Sequence, residues 1–342
     1  MKRARRRLCA ALALLLAALV APACQQPVEV LPPELRDLGH LPIFDTSIRF
    51  AVIGDTGTGN PPQYDIAERM VEAHETFPFE FVIMLGDNMY GLERPVDYER
   101  KFSQPYAKLL DEGVEFYASL GNHDNPNQRF YEPFHMGGQR YYSFTKGDAR
   151  FFALDSNYMD PEQLGWLRQE LENTRQAWKI AFFHHPPYSS GAFHGPSVDL
   201  RKLLEPIFVE HGVRVVFSGH EHFYERIKPQ KGVYYFIEGG SARLRRANIR
   251  ETDLTEKGFD TDNSFMLVEI HGETLFFETL ARTGALVDSG EIARADAREP
   301  EAVEVSQPAK PGAKQGTAAA PPRKEADESR PTRSEAQPSD GR

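Results

Sequence analysis

Five short stretches gather side chains that can hold metal ions. They are Gly54-Asp55-Thr56-Gly57, Gly86-Asp87-Asn88-Met89-Tyr90, Gly121-Asn122-His123-Asp124, His184-His185-Pro186-Pro187 and Gly219-His220-Glu221-His222. Carboxylate, amide, phenol and imidazole groups are the oxygen and nitrogen donors that ions such as iron, zinc and manganese take. Asp87 has two oxygens and can bridge two ions, and Tyr90, a short loop further on, can offer a phenolate to one of them. Taken singly each stretch is weak. A Gly-Asp after a strand is usually a turn or a helix cap, and His-X-His on a loop is most often a solvated pair. Five of them, each closing an apolar run, point to a metal site.

The apolar runs are the elements that must position these donors. Arg49–Ile53, Phe81–Leu85, Val114–Leu120, Ala177–Phe183 and Val213–Phe217 read as strands that end at the five stretches. Further strands are expected at 140–144, 150–154, 232–238, 264–270 and 273–280. Helices are expected after Pro61-Pro62, with Ile66, Met70 and Val71 on one face, around 97–111, from Pro161 to about Thr174, and near 198–210. Strands alternating with amphipathic helices imply an α/β fold with buried sheets. Late strands without helices between them imply an antiparallel portion. Ligand groups at strand ends suit such folds.

The ends of the chain read differently. Met1–Ala23 has a basic start (Lys2, Arg3, Arg5, Arg6, Arg7), an apolar run from Leu8 to Val20, then Ala21-Pro22-Ala23-Cys24. That is an export signal, too short to span a membrane. Cys24 stands where a bacterial lipoprotein would carry its lipid; ordinary cleavage after Ala23 is the alternative, and Arg6-Arg7 also fits a twin-arginine signal. The expected product is periplasmic, an outer-envelope lipoprotein, or secreted. With only Cys9 and Cys24 present, the exported domain has no internal disulfide. Residues 24–46 read as a Pro-rich linker, 47–295 as the catalytic domain, and 296–342 as a tail. From 297 on there is no aromatic residue, Leu, Ile or Met, and eight basic residues balance eight acidic ones, so the tail cannot bury enough apolar surface to fold. Removing the five positive charges of the signal from a chain of net charge −10 leaves −15, which argues against a nucleic-acid surface. An anionic substrate must then be drawn locally, and metal ions are the obvious local charge.

This set of motifs resembles the calcineurin-like metallophosphoesterases, and within them the purple acid phosphatases. The resemblance covers about residues 48–240. The Gly-Asp-X-X-Tyr spacing of Asp87 and Tyr90 marks the purple subgroup. His220–Arg226 resembles a stretch of the plant enzymes, and Ala192-Phe193-His194-Gly195-Pro196 one of the small mammalian type. The resemblance implies a four-layer α/β/β/α sandwich of two mixed sheets. It implies one metal held by Asp55, Asp87, Tyr90 and His222, and a second held by Asp87, Asn122, His184 and His220. A phenolate, with its ordinary pKa of about 10, needs a strongly polarising ion, so the first site suits Fe³⁺ and the second a divalent Fe, Zn or Mn. The implied reaction is hydrolysis of phosphate monoesters, a metal-bound hydroxide attacking phosphorus in line. His123 and His194 are the candidates to protonate the leaving oxygen, and His185 is expected to orient a ligand. A phosphodiesterase or nucleotide hydrolase on the same metals is the alternative, followed by a metal-containing envelope protein without turnover. His40, His74, His135, His211 and His271 fit no ligand pattern. Arg243, Arg245, Arg246 and Arg250 read as a solvated loop, with an anionic substrate tail as the other reading.

Overall fold

The computed structural model of the chain describes residues 41–250 and 252–294. The expected signal, most of the expected linker, Cys9, Cys24, His40 and the expected tail lie outside the described residues. In chain order the elements are β1 (Ile48–Ile53), α1 (Pro61–Thr76), β2 (Phe81–Met84), α2 (Pro95–Tyr98), α3 (Ala107–Asp111), β3 (Glu115–Ala118), β4 (Tyr142–Lys146), β5 (Ala149–Ala153), α4 (Pro161–Asn173), β6 (Trp178–Phe183), α5 (Val198–His211), β7 (Val215–Ser218), β8 (Tyr224–Gln230), β9 (Val233–Glu238), β10 (Thr255–Phe259), β11 (Ser264–His271), β12 (Thr274–Ala281) and β13 (Leu286–Ala293). They build two mixed sheets, ordered β13-β12-β11-β1-β2-β3 and β10-β8-β9-β7-β6-β5-β4. In the first, β1, β2 and β3 run parallel and the late strands β11 to β13 add an antiparallel meander. In the second, β5, β6, β7 and β9 run parallel.

Period-two alternation along the strands sorts the layers. Phe50 and Val52 of β1 face the space between the sheets, where Phe81, Ile83, Phe151, Phe182, Phe217 and Phe236 meet them. Phe50 stacks on Phe81 at 5.1 Å within its own sheet and meets Phe151 of the other edge-on at 5.3 Å. Ala51 and Ile53 face the other way, onto Ile66 and Met70 of α1. On the outer face of the second sheet, Leu167 and Leu171 of α4 and Leu204, Ile207 and Phe208 of α5 cover Phe152, Ala181 and Val216. The result is the expected α/β/β/α stack, and its central core clamps both sheets so that their strand ends meet at one rim.

Several boundaries differ from the sequence reading. The helix expected around 97–111 is broken into α2, a π-helical turn at Glu99–Ser103 and α3. Pro105, inside the expected span, cannot donate to a continuing helical ladder. The end of the expected linker is docked: the backbone N–H groups of Ile43 and Phe44 donate to the Glu269 carboxylate at 2.8 and 2.7 Å, and Phe44 stacks on His271 at 4.0 Å. Strands β8, β10 and β13 were not foreseen. Each carries charged residues or glycine and lies toward a sheet edge, so none shows a continuous apolar run. Among the described residues no helix is long and apolar enough to cross a membrane.

Candidate metal centre

The five donor stretches leave the C-terminal ends of β1, β2, β3, β6 and β7. Backbone hydrogen bonds lace these exits together. Asp55 N–H donates to Gly86 O (3.1 Å), and Gly219 N–H to His184 O (3.0 Å). Asp55, Asp87 and His220 each hold a positive φ, at 56°, 50° and 69°. Side-chain-bearing residues seldom adopt this conformation, and such strain concentrates where a side chain must be aimed. Gly86 and Gly121 let the exits close up: a Cβ on Gly86 would lie 2.8 Å from His184 Nδ1, and one on Gly121 would lie 2.2 Å from Asp87 Oδ1.

Two groups of donors result. The ligand atoms of Asp55, Asp87 and His222 lie within 4.8 Å of one another, and so do those of His184, His185 and His220. The Tyr90 hydroxyl joins the first group, donating to Asp55 Oδ1 at 2.9 Å and lying 3.3 Å from His222 Nε2. Asn122 joins the second, its Oδ1 3.0 Å from His184 Nε2. Asp87 stands between them, with Oδ1 3.4 Å from His184 Nε2. Thus all seven expected ligands converge.

The chemistry of the set fits cations. His184 Nδ1 lies 2.9 Å from the Leu85 carbonyl, which can only accept, so this nitrogen carries a proton, and in the neutral ring it is Nε2 that presents the lone pair. That lone pair faces the Asn122 and Asp87 oxygens, which are acceptors too. Asp55 and Asp87 are buried, and among the described residues neither pairs with Lys or Arg; the His222 and His184 imidazoles lie 3.3 Å from Asp55 and 3.4 Å from Asp87. Burial, opposed by His184 and reinforced by Asp87, pushes the Asp55 carboxyl up to about 8. For Asp87 burial acts in the same direction, but His184 and the His123 N–H outweigh it and the carboxyl is lowered. Burial pushes the Tyr90 phenol well up, with Asp55 and Asp87 adding to it. Burial also keeps the imidazoles neutral, bringing His185 down to about 3 and His222 to about 4, and lowering His220 further with help from the neighbouring histidines. Neutral imidazoles, a buried carboxylate pair and a phenol held protonated form a set that a bound cation would relieve.

The other expected residues surround this centre. His123 is exposed, its ring 5.0 Å from that of Tyr90, and its N–H donates to Asp87 Oδ1 at 2.9 Å. His194 is exposed on its loop with its ring 4.1 Å from His220. His185 is bonded through Nδ1 to Ser156 Oγ (2.9 Å). His74, His135 and His271 serve packing and local hydrogen bonds, as with His135 Nδ1 and Phe116 O at 3.0 Å. A cleft of about 480 Å³ opens on the Asn122 side, lined in part by Asp155, Ser156, Asn157 and His185. The arginine loop differs from a wholly solvated one: Arg243, although exposed, lies over the Tyr90 ring and half-buried Arg245 over that of Phe193, whereas Arg246 and Arg250 are exposed.

Three residues escaped the sequence reading. Buried Asn88 donates to the Ser119 carbonyl at 2.7 Å. Asp124 accepts four hydrogen bonds that tie the 121–124 turn to the 88–89 loop. Glu221 accepts from Gly195 N–H (2.6 Å) and Asn248 Nδ2 (3.1 Å), fastening the His194 loop. Their only sequence signal was position inside or beside a ligand motif.

Comparison with known proteins decides the family. The profile described as Calcineurin-like phosphoesterase matches residues 48–224. The chain belongs to this family. Among its relatives, purple acid phosphatase 7 of Arabidopsis thaliana is 28% identical over 271 residues, covering 68% of this chain and 82% of that protein. Tartrate-resistant acid phosphatase type 5 of Oryctolagus cuniculus is 25% identical, over 56% and 72%. A purple acid phosphatase from yellow lupin seeds superposes with a TM-score of 0.61 at 19% identity, over 73% of this chain and 54% of that one. This calcineurin-like phosphoesterase, a hydrolase of phosphate esters with the metallophosphoesterase fold, is thus similar to the purple acid phosphatases.

Proposed function

We propose that the chain is an exported phosphomonoesterase with a dinuclear metal centre. Asp55, Asp87, Tyr90 and His222 would hold one ion, and Asp87, Asn122, His184 and His220 the other. The observation that carries this reading is the meeting of unprotonated donors: the His184 lone pair faces two oxygen acceptors beside a buried carboxylate that no Lys or Arg neutralises among the described residues. When bound, two such ions polarise a phosphoryl oxygen and make water a nucleophile at neutral pH. The Tyr90 phenol ionises only against a strongly polarising ion, so ferric iron suits its group, and a divalent Fe, Zn or Mn suits the imidazole group.

The chain's own residues supply the rest. Leu85 O fixes the His184 tautomer, and the Asp87 loop is locked through Asn88. His123 and His194 stand exposed beside the ligands, where either could hold the proton that the leaving alcohol needs, a contribution of about 10²–10⁴ in rate. The N-terminal signal supports export, as lipoprotein or secreted protein. The test is phosphate release by the metal-loaded protein from a panel of monoesters, diesters and nucleotides. Monoesters should turn over fastest; turnover of diesters alone, or of nothing, would overturn the assignment.

A further inference from the structure

Two arginines of the 241–250 loop lie over aromatic rings beside the centre. The Arg243 guanidinium lies 3.9 Å from the centroid of the Tyr90 ring, and Arg245 lies 3.8 Å from that of Phe193, the neighbour of His194. Among the described residues neither forms an ion pair, whereas Arg226 pairs with Asp288 and Arg282 with Asp262. Arg245 Nη1 is buried and without a hydrogen-bond partner. Such a group is costly to leave unmet, so its presence beside a phosphate-ester site calls for an anion.

The loop that carries them is fixed. Arg245 N–H donates to His222 O (2.9 Å), Ala192 N–H to Asn248 O (2.8 Å) and Arg250 N–H to Ser190 O (2.9 Å), and Gly191 bridges Ile249. Asn248 Nδ2 donates to Glu221, and Asp260 accepts from the backbone N–H groups of Asn248 and Ile249. Glu221, whose carboxyl feels the Arg245 charge, has its oxygens hydrogen-bonded to Gly195 N–H, Ser189 Oγ and Asn248 Nδ2, and no hydrogen bond to Arg245 is among them.

We infer that Arg243 and Arg245 form a second anion subsite, and that the preferred substrates carry a second phosphate on their leaving group. Guanidinium groups match phosphate with paired N–H donors, and stacking on Tyr90 and Phe193 holds them in orientation without consuming those donors. This rests on the phosphomonoesterase reading above and names its substrate class. The hydrolysis is otherwise unchanged: a P–O bond to water forms, the P–O bond to the leaving group breaks, and the leaving oxygen takes a proton.

The test uses the full metal-loaded protein and matched esters with one scissile bond: phenyl phosphate, its 4-phosphonomethyl derivative and its 4-carboxymethyl derivative. The kcat/KM ratio of phosphonomethyl over unsubstituted ester should exceed about 10 at low salt and fall as salt is added. It should drop about tenfold in Arg245→Gln and further in the double variant with Arg243→Gln, while Arg246→Gln with Arg250→Gln leaves it in place. Calorimetry with benzylphosphonate against p-xylylenediphosphonate should give the same ordering without turnover. A wild-type ratio near 1, or a ratio unmoved in the Arg243 and Arg245 variants, overturns the subsite. An equal gain with the carboxymethyl ester overturns its assignment to phosphate. Turnover of phenyl phosphate without preference leaves the phosphomonoesterase reading standing alone. Arginine-dependent diphosphonate binding without any turnover supports the subsite and sinks that reading.

Discussion

Asp124→Asn removes one charge and changes almost no volume, yet the structure assigns it a definite cost. Asp124 Oδ1 accepts from Met89 N–H (2.9 Å) and Gln128 Nε2 (2.8 Å), and Oδ2 from Gly121 N–H (2.7 Å) and Asn88 Nδ2 (3.1 Å). All four partners are donors. An amide offers one oxygen, so in either orientation its NH₂ faces a backbone N–H, that of Gly121 or of Met89. Leaving one such buried donor unmet costs about 1–3 kcal/mol. Against this, burial and the nearby Asp87 push the Asp124 carboxyl well up, and a neutral amide escapes that penalty. Four donors on one carboxylate decide for the hydrogen bonds. Taking about 2 kcal/mol, the Tm of a domain this size should fall by about 4–8 °C. Thermal and urea unfolding of metal-free protein measure this. Asp199→Asn, at an exposed pair with Lys202, is the control and should stay within about 0.5 kcal/mol. A Tm unchanged or raised in Asp124→Asn would show that the burial penalty, not the hydrogen-bond count, governs the turn.

Gly191→Ala would place a Cβ 2.1 Å from Glu221 Oε1, which must then release the His194 loop. Overpacking of this kind costs about 1–3 kcal/mol, and limited proteolysis should cut at 189–195 faster than in wild type; an unchanged cleavage rate would argue that Glu221 does not hold the loop. Burial pushes the Glu238 carboxyl up to about 8, against hydrogen bonds from Ser264, Gly240 and Ser241. Between about 4.5 and 8 the folded chain keeps a proton that the unfolded chain gives up, so its contribution is full below 4.5 and is lost as pH rises through 8. Glu238→Gln should flatten that fall in urea midpoints between pH 5 and 8.5, and parallel profiles would remove the assignment. Tyr90→Phe should abolish the visible absorbance of the iron-loaded protein while leaving part of the activity; a band that survives must come from another ligand.

The strand-end donors were legible because burial on both faces makes parallel strands continuous apolar runs, and a polar residue at their ends stands out. Phe81–Met84 before Asp87 shows this plainly. Strand β8, with Glu225, Arg226, Lys228 and Pro229, was not legible: its pairing with β9 and β10 is a tertiary choice that local composition does not encode. The left-handed backbone of Asp55, Asp87 and His220 was hidden for the same reason. Types and spacing picked out residues that converge at one rim, but the roles of Asp124 and Glu221 depend on which loops meet. The arginine loop misled because four arginines in eight residues look solvated, and only packing against Tyr90 and Phe193 separates Arg243 and Arg245 from Arg246 and Arg250.

Elemental analysis of the purified wild-type chain beside Asp87→Ala tests the dinuclear centre most directly, since Asp87 is the one residue common to the two proposed ligand sets. The account predicts two ions per chain in the wild type and none retained in the variant. Full occupancy in Asp87→Ala, or a wild-type chain that binds no metal when supplied with iron and zinc, would contradict it.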